Sequence, residues 1–288
     1  MSYHNRDARI HYARLSPDQH GANAARNLGI QLSHSPYLLF LDSDDALAPH
    51  CLIKRVEQLE KRSELDFAVW PSLLFNLTPG DSMLLWNIAT SDSDVDRFLA
   101  LDIPWQTAGV LWRRNSLVKI GPWLDELPSW QDWEFHLRAL IHNLRYQRFD
   151  EPDSYWRTPR PDSLWNRSKD QTNLDARVAL LANILKNLQQ MGMLGSRQKH
   201  LLAGLYFWHA RLWYSQMKKR CRACSVWWQA WKLGLVTTGR FLEGLKWFSR
   251  ITRGRSHDLK IVFPHWPTEY LIGSSLTFQK TTYSGWKS

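Results

Sequence analysis

Tyr37-Leu38-Leu39-Phe40-Leu41-Asp42-Ser43-Asp44-Asp45 decides the fold class of this 288-residue chain. Its first five residues form a short continuous apolar run, the pattern of a buried strand. Three carboxylates follow within four positions, where that strand would end. Like charges this close repel and raise one another's pKa unless a positive group lies between them. A divalent cation meets that need, since hard oxygen ligands suit Mg²⁺ or Mn²⁺ and the bound ion can hold phosphates. Open α/β sheets bind ligands beyond the carboxyl ends of their strands, which is where this cluster falls. Taken alone, the same residues also describe an acidic turn with Asp45 as N-cap of a helix at Ala46-Leu47-Ala48.

Two further stretches bear on that choice. Upstream lies Gly21-Ala22-Asn23-Ala24-Ala25-Arg26-Asn27-Leu28-Gly29-Ile30. Its small residues let a helix pack closely on a sheet, and Gly21 at its start leaves backbone N–H groups free to face a phosphate. Downstream lies Gly121-Pro122-Trp123-Leu124-Asp125-Glu126-Leu127-Pro128-Ser129-Trp130-Gln131-Asp132-Trp133-Glu134-Phe135-His136-Leu137-Arg138. Trp133, Leu137 and Leu140 recur there at helical spacing, so Ser129 or Asp132 also suits a helix cap. Trp130 and Trp133 flank Asp132; indole faces stack on sugar rings and equally fill cores. His136 is given no role.

In this order and spacing, the three stretches resemble family 2 glycosyltransferases: an A-R-N-x-G helix, a strand ending in D-x-D, and a G-x-[FW]-x-E…[EQ]-D-x-E-[FL] segment. The resemblance covers roughly residues 9–160. It implies an α/β, GT-A-like nucleotide-diphospho-sugar transferase domain with a Rossmann-like mixed sheet. It also implies roles. Gly21 and Arg26 belong to the donor-binding side, Asp42 lies near the donor's ribose or metal, and Asp44 coordinates an Mn²⁺ or Mg²⁺ ion bridging the two phosphates. Asp132 matches the general base that takes the acceptor hydroxyl's proton, giving inversion at the anomeric carbon. Gln131 stands where the family often has Glu. The implied partners are a UDP-, GDP- or dTDP-sugar and a hydroxyl acceptor, including a lipid-linked one, in cell-surface polysaccharide or glycolipid synthesis.

The chain departs from the family at its start. Members usually open with an apolar strand, a P-x-Y-N-type turn and a second strand ending in D-D-x-S. Here the first plausible strand is Arg9-Ile10-His11-Tyr12-Ala13-Arg14-Leu15, which resembles the family's third. The expectation is therefore an N-terminally incomplete domain with about half its nucleotide subsite absent. A misplaced start, a remnant, or a partner that completes the site would each account for it. The alternative to an enzyme is a non-catalytic remnant acting as a binding or partner-dependent subunit.

Composition sets the outer bounds. At 288 residues, 44% of them hydrophobic, the chain can bury a sizeable core. No run of 18 apolar residues reads as a membrane span, and the polar start does not read as a secretory signal. Cys51, Cys221 and Cys224 do not make a disulfide framework, and the lone Cys221-x-x-Cys224 lacks the second pair or His of a zinc site. A cytoplasmic protein in a reducing compartment is expected, peripheral on the inner membrane face.

Charge divides the chain. Residues 1–199 carry 23 Lys+Arg against 24 Asp+Glu, whereas residues 200–260 carry 12 against 2. The shift, with breakers in Thr158-Pro159-Arg160-Pro161-Asp162-Ser163, predicts a transferase-like domain over 1–165 and a helical, basic, Trp-rich domain over 166–288. Arg157 and Arg160 suit either a reach toward a diphosphate or plain solvated surface.

Leu174 to Met191 reads as one helix, and Tyr206, Ala210, Trp213 and Met217 mark a second. Ala223, Trp227, Ala230, Trp231 and Gly234 mark a third, then Phe241, Leu245 and Phe248 a fourth. Small and aromatic residues alternate as in stacked helical hairpins. Lys218, Lys219, Arg220, Arg222, Arg250, Arg253 and Arg255, interleaved with Trp208, Trp213, Trp227, Trp228 and Trp247, suit an anionic membrane surface. A solvated basic face over a Trp-rich core fits the same residues. No nucleic-acid recognition motif accompanies them. Residues 256–288 show no strong period, with a turn at Phe263-Pro264-His265-Trp266-Pro267.

Overall fold

The apolar run at 37–41 does enter a sheet, but only as a two-residue strand, β1 (Tyr37–Leu38). The computed structural model describes residues 7–82, 84–87, 89–158 and 170–252. The remaining strands are β2 (Ala46–Leu47), β3 (Phe67–Val69), β4 (Ser72–Phe75), β5 (Leu84–Leu85), β6 (Val110–Arg113), β7 (Tyr146–Arg148) and β8 (Ser154–Arg157). They form two four-stranded mixed sheets, ordered β1-β6-β3-β7 and β2-β8-β4-β5. In the first, β6 runs antiparallel to both neighbours, with Leu38 opposite Trp112 and Ala68 opposite Leu111, while β3 and β7 are parallel. In the second, β4 and β8 are parallel and β2 and β5 close the edges antiparallel.

Pro71 explains why consecutive strands β3 and β4 fall in different sheets. It has no N–H to give a ladder. The neighbouring Trp70 N–H instead donates to the Gly109 carbonyl at 2.8 Å, across the chain entering β6. A Cβ at Gly109 would lie 2.7 Å from the Trp70 carbonyl oxygen, so only glycine admits this approach.

Five α-helices among the described residues belong to this region: α1 (Gly21–Leu32), α2 (Cys51–Glu60), α3 (Asp94–Leu99), α4 (Arg114–Ile120) and α5 (Gln131–Ile141). Arg55 on α2 is fully buried, its guanidinium lying over the Trp70 ring at 4.8 Å. Its Nε donates to Asp153 Oδ2 at 2.8 Å, its Nη2 to Asp153 Oδ1, and its Nη1 to the Ala108 carbonyl at 2.7 Å. The Asp153 carbonyl in turn accepts the Ala48 N–H at 2.9 Å, anchoring the strand that leaves the acidic loop.

Four longer helices follow: α6 (Gln171–Gln190), α7 (Ser196–Ser215), α8 (Arg220–Lys232) and α9 (Thr238–Thr252). The Asp170 side chain caps α6 by accepting the Asn173 N–H at 2.8 Å. α7 and α8 pack as a hairpin, α6 lies against α7, and α9 leans on α8. α3 packs on α7 and α5 on α6, so one apolar cluster runs from Phe40, Trp112 and Phe135 through Leu181 and Phe207 to Trp227 and Phe248. Trp112, Trp123, Trp133, Trp213 and Trp227 are among its fully buried side chains. Each ring of that size removes roughly 150–250 Å² from water, on the order of 4–6 kcal/mol before entropy is counted. Much of the tryptophan content is thus core.

Two expectations need correcting. Arg9–Leu15 forms no strand: residues 9–14 are exposed, Leu15 is half-buried, and none has a ladder partner among the described residues. Asp45 caps no helix either. Ala46 and Leu47 pair with Tyr155 and Ser154, and α2 begins only at Cys51, because Pro49 disfavours helical geometry at Ala48. The four helices expected over 174–248 all form. Residues 159–163, Arg160, Arg253, Arg255 and the tail 256–288 lie outside the described residues. Among the described residues, no helix is long and apolar enough to cross a membrane.

Candidate active site

Beyond β1 the chain passes buried Phe40 and turns, the Asp45 N–H donating to the Asp42 carbonyl at 3.1 Å. This turn directs the three carboxylates differently. Asp42 meets Arg26 of α1, whose Nη2 donates to its Oδ1 at 2.6 Å. Asp44 is exposed, and its carbonyl accepts from Arg157 Nε at 3.0 Å. Asp45 turns inward and accepts the Arg157 backbone N–H at 3.0 Å. Burial pushes the Asp45 carboxyl up to about 7, against that hydrogen bond and with help from Asp42 and Asp44. Arg157, also bonded to the Asn76 carbonyl at 2.9 Å and lying over Phe75, therefore braces the loop from the end of β8.

Helix α1 carries the second motif. Gly21 is exposed at its start with φ +87, so glycine serves the turn into the helix. Arg26 is largely buried and stacks 4.4 Å above the Trp123 ring. Its Nη1 lies 3.4 Å from both Asn23 Oδ1 and Gln131 Oε1, so one guanidinium touches α1, the acidic loop, the 121–130 loop and α5. Asn27 secures that contact. It donates to the Trp123 carbonyl at 2.8 Å and to Asp125 Oδ1 at 2.7 Å, and accepts the Trp123 N–H at 2.9 Å. Asn23 donates to the Leu124 carbonyl at 2.6 Å.

The third motif splits into a site half and a scaffold half. Asp132 stands in the first turn of α5, half-buried, with Oδ1 accepting the Trp133 N–H at 2.9 Å. Burial raises its pKa, the charge of Arg26 and that N–H oppose the rise, and Asp42 adds to it. Arg26, Asp42 and Asp132 thus sit within one another's electrostatic reach. Glu134 faces the other way: buried, it accepts from Arg138 at 2.7 and 3.0 Å. Arg138 also grips the Ile120 carbonyl and, at 2.8 Å, the Pro122 carbonyl, setting where the loop leaves α4. Trp133 is core, its Nε1 donating to the Phe98 carbonyl at 2.7 Å. His136 is fully inside, stacked on Trp112, and burial holds its pKa down at about 3.

The structure therefore brings Arg26, Asp42, Gln131 and Asp132 together, leaves Asp44 on the exposed rim, and keeps Gly21 at the entry to α1. Three further contributors were not singled out as site residues, although Trp123 is the aromatic position of the third motif. Trp123 is the floor beneath Arg26, sandwiched by Phe135 at 3.9 Å. Arg177 and Trp208, from α6 and α7, pack on Trp130 just before Asp132.

Comparison with known proteins bears on the family and the fold. The sequence model of the family described as Glycosyl transferase family 2 matches residues 2–80, which hold α1 and the acidic loop. An uncharacterized glycosyltransferase of Haemophilus influenzae is 25% identical over 136 residues, covering 47% of this chain and 46% of that protein. The match thus spans about half the length of that curated relative. Among solved structures, S. aureus TarS 1-349 in complex with UDP-GlcNAc superposes with a TM-score of 0.54 at 14% identity, covering 95% of this chain and 80% of that one. At that identity the likeness bears on the fold. By motif, family match and architecture, the chain is family 2 glycosyltransferase-like, with a GT-A-like α/β region followed by a helical one.

Proposed function

We propose that this protein transfers a sugar from a nucleotide-sugar to a hydroxyl acceptor, with inversion at the anomeric carbon. The observation that carries the reading is the convergence of Arg26, Asp42 and Asp132 from three separate motifs. The Asp132 carboxylate accepts the acceptor hydroxyl's proton as that oxygen bonds to the anomeric carbon. The bond from that carbon to the donor's phosphate oxygen breaks, and the nucleoside diphosphate leaves with the electron pair. Arg26 keeps a positive charge beside Asp42 and Asp132, which favours the ionised form a base needs.

Asp42 and Asp44 are the residues that would hold Mn²⁺ or Mg²⁺. Among the described residues no three acidic, His or Cys side chains gather as a metal cage. Half-buried Asp42, held by Arg26, and exposed Asp44 stand two positions apart in one turn, and an ion bound there would complete its shell with water and substrate phosphates. When bound, such an ion offsets charge on the departing diphosphate. UDP-GlcNAc is the ligand of the TarS structure; for this chain we propose a nucleotide-sugar donor, with UDP-, GDP- and dTDP-sugars as the candidates. Exposed Trp228 and Trp231 on a helix that also carries exposed Arg220 and Lys232 and no acidic residue support work at an anionic membrane face, on a lipid-linked acceptor of surface polysaccharide or glycolipid synthesis.

Calorimetric titration of the folded chain with UDP and GDP, with and without Mn²⁺, tests the donor half. Metal-dependent binding that Asp44→Ala removes is expected; no binding to either nucleotide would favour a binding-only or partner-dependent role. For the chemistry, Asp132→Asn is expected to cut transfer at least 100-fold while donor affinity stays within about twofold. Loss of donor binding instead would make Asp132 structural.

A further inference from the structure

The turn that delivers Asp132 is strained. Trp130 immediately precedes α5 with φ +62 and ψ 29, the left-handed region, and no side chain caps the helix start. For a non-glycine residue this costs on the order of 1–2 kcal/mol, so surrounding contacts must hold it there.

Those contacts come chiefly from the helical region. Arg177 of α6 is 3% exposed; its Nε donates to Ser129 Oγ at 2.9 Å and its guanidinium lies 4.9 Å from the Trp130 ring centroid. From α7, Trp208 stacks on Trp130 at 5.9 Å and 11°, and His209 meets its ring edge-on at 5.1 Å and 77°. His209 is itself fixed, Nδ1 lying 2.8 Å from the Leu205 carbonyl. Trp133 completes the enclosure at 4.8 Å. Arg177 makes no ion pair among the described residues. Burying a guanidinium that has no salt bridge, only the Asp170 carboxylate within electrostatic reach, is costly, and an apolar side chain of similar size would be cheaper for stability alone. What Arg177 adds is a planar cation over one face of Trp130 and a directed N–H on Ser129.

We infer that Arg177 is a positioning residue: from α6 it holds the Ser129–Trp130 turn in the conformation that sets Asp132 beside Arg26 and Asp42. This rests on the reading of Asp132 as the base. On that footing the helical region belongs to the catalytic apparatus, since a displacement of about 1 Å at the base can cost about 100-fold in rate.

The test uses the full chain with Arg177→Met and Arg177→Lys. Crystal structures of both are expected to show Trp130 leaving the left-handed region and the Asp132 carboxylate displaced. In transfer assays kcat is expected to fall about 10–100-fold, with donor KM and Mn²⁺-dependent UDP affinity within about twofold. Lysine is not expected to rescue, because it has neither the planar face nor the Nε donor. Should either variant fail to fold, Ser129→Ala removes the same hydrogen bond, with a kcat loss of about 3–10-fold expected. An unmoved Trp130 and Asp132 in the variant structures, or full rescue by lysine, overturns the inference. Full activity of Asp132→Asn would instead remove the base reading, and the variant structures would still report whether Arg177 sets the turn.

Discussion

Asn27 and Glu134 show how motif letters acquire meaning only in three dimensions. Both belong to segments that marked the chain as transferase-like, yet neither reaches the reacting groups. Asn27 brackets the backbone of Trp123 from both sides, and Glu134 holds the arginine that sets the 121–130 loop. Asn27→Ala should therefore destabilise the fold by about 1–3 kcal/mol, the cost of two orphaned backbone groups, measured by urea unfolding. A loss of donor affinity without loss of stability would move Asn27 into the site. The letters were legible at this scale, but their roles were not, because partners such as Trp123 lie 96 residues away. The buried histidines give a second residue-scale prediction. His136 and His209 are held neutral by burial, with pKa values near 3. Their folded pKa values lie below the usual 6.5, so the unfolded chain binds more protons in acid. Stability contributed by the neutral form is complete above pH 6.5 and is lost as pH falls toward 3. At pH 5 the two together should cost about 4 kcal/mol relative to pH 7.5. His209→Gln should reduce the pH slope by one proton, and an unchanged slope would mean that His209 charges without penalty.

At the scale of elements, long helices were legible and short strands were not. The helices from α6 to α9 have three to five turns each, enough for apolar spacing to repeat. β1, β2 and β5 have two residues each, too few for any period. Arg9–Leu15 has the composition of a strand but no partner strand among the described residues, and pairing is what makes a strand. The split at Pro71 likewise depends on Gly109, whose approach to Trp70 no local pattern encodes. The α8–α9 crossing turns on a comparable detail. A Cβ at Gly244 would stand 2.3 Å from Trp227 Nε1 and 2.6 Å from its Cε2, inside a ring that donates to the Phe241 carbonyl at 2.9 Å. Gly244 was hidden in the sequence because helix propensity alone disfavours it. Gly244→Ala would gain about 1 kcal/mol of propensity but force these helices apart, for a net loss of about 1–3 kcal/mol. Thermal unfolding of the variant checks this: a raised Tm would show that the helices crossing there have room to spare.

Across the whole molecule, exposed charge and exposed aromatics both mark α8. The basic cluster expected from sequence is not uniform. Arg222 is paired with Asp175, Lys219 bonds Gln171, and Arg240 pairs with Glu243 at 2.9 Å. Lys218 and Arg220 are exposed at the start of α8; at its far end exposed Lys232 lies over the Trp228 ring at 5.1 Å, with Trp228 and Trp231 44% and 38% exposed and exposed Leu233 following. Arg220, Cys224, Trp228 and Trp231 fall on one stripe of α8, a helix with no acidic residue. Large indoles left in water beside cations match the interface of an anionic bilayer, where each Lys or Arg contributes about 1 kcal/mol and the rings settle at headgroup depth. Co-sedimentation with phosphatidylglycerol vesicles should therefore retain the protein, and neutral phosphatidylcholine vesicles should not. Replacing Lys218, Arg220 and Lys232 together by Gln should weaken partitioning on the order of 100-fold, from about 3 kcal/mol of lost attraction. Trp228→Ala with Trp231→Ala should weaken it at high salt as well, where screening has already removed most of the charge term. Neutralising Arg222 should matter less than Arg220, because its charge is already spent on Asp175. Equal loss from both would mean long-range charge alone drives association, and unchanged partitioning of the triple variant would leave a solvated basic face over a tryptophan core.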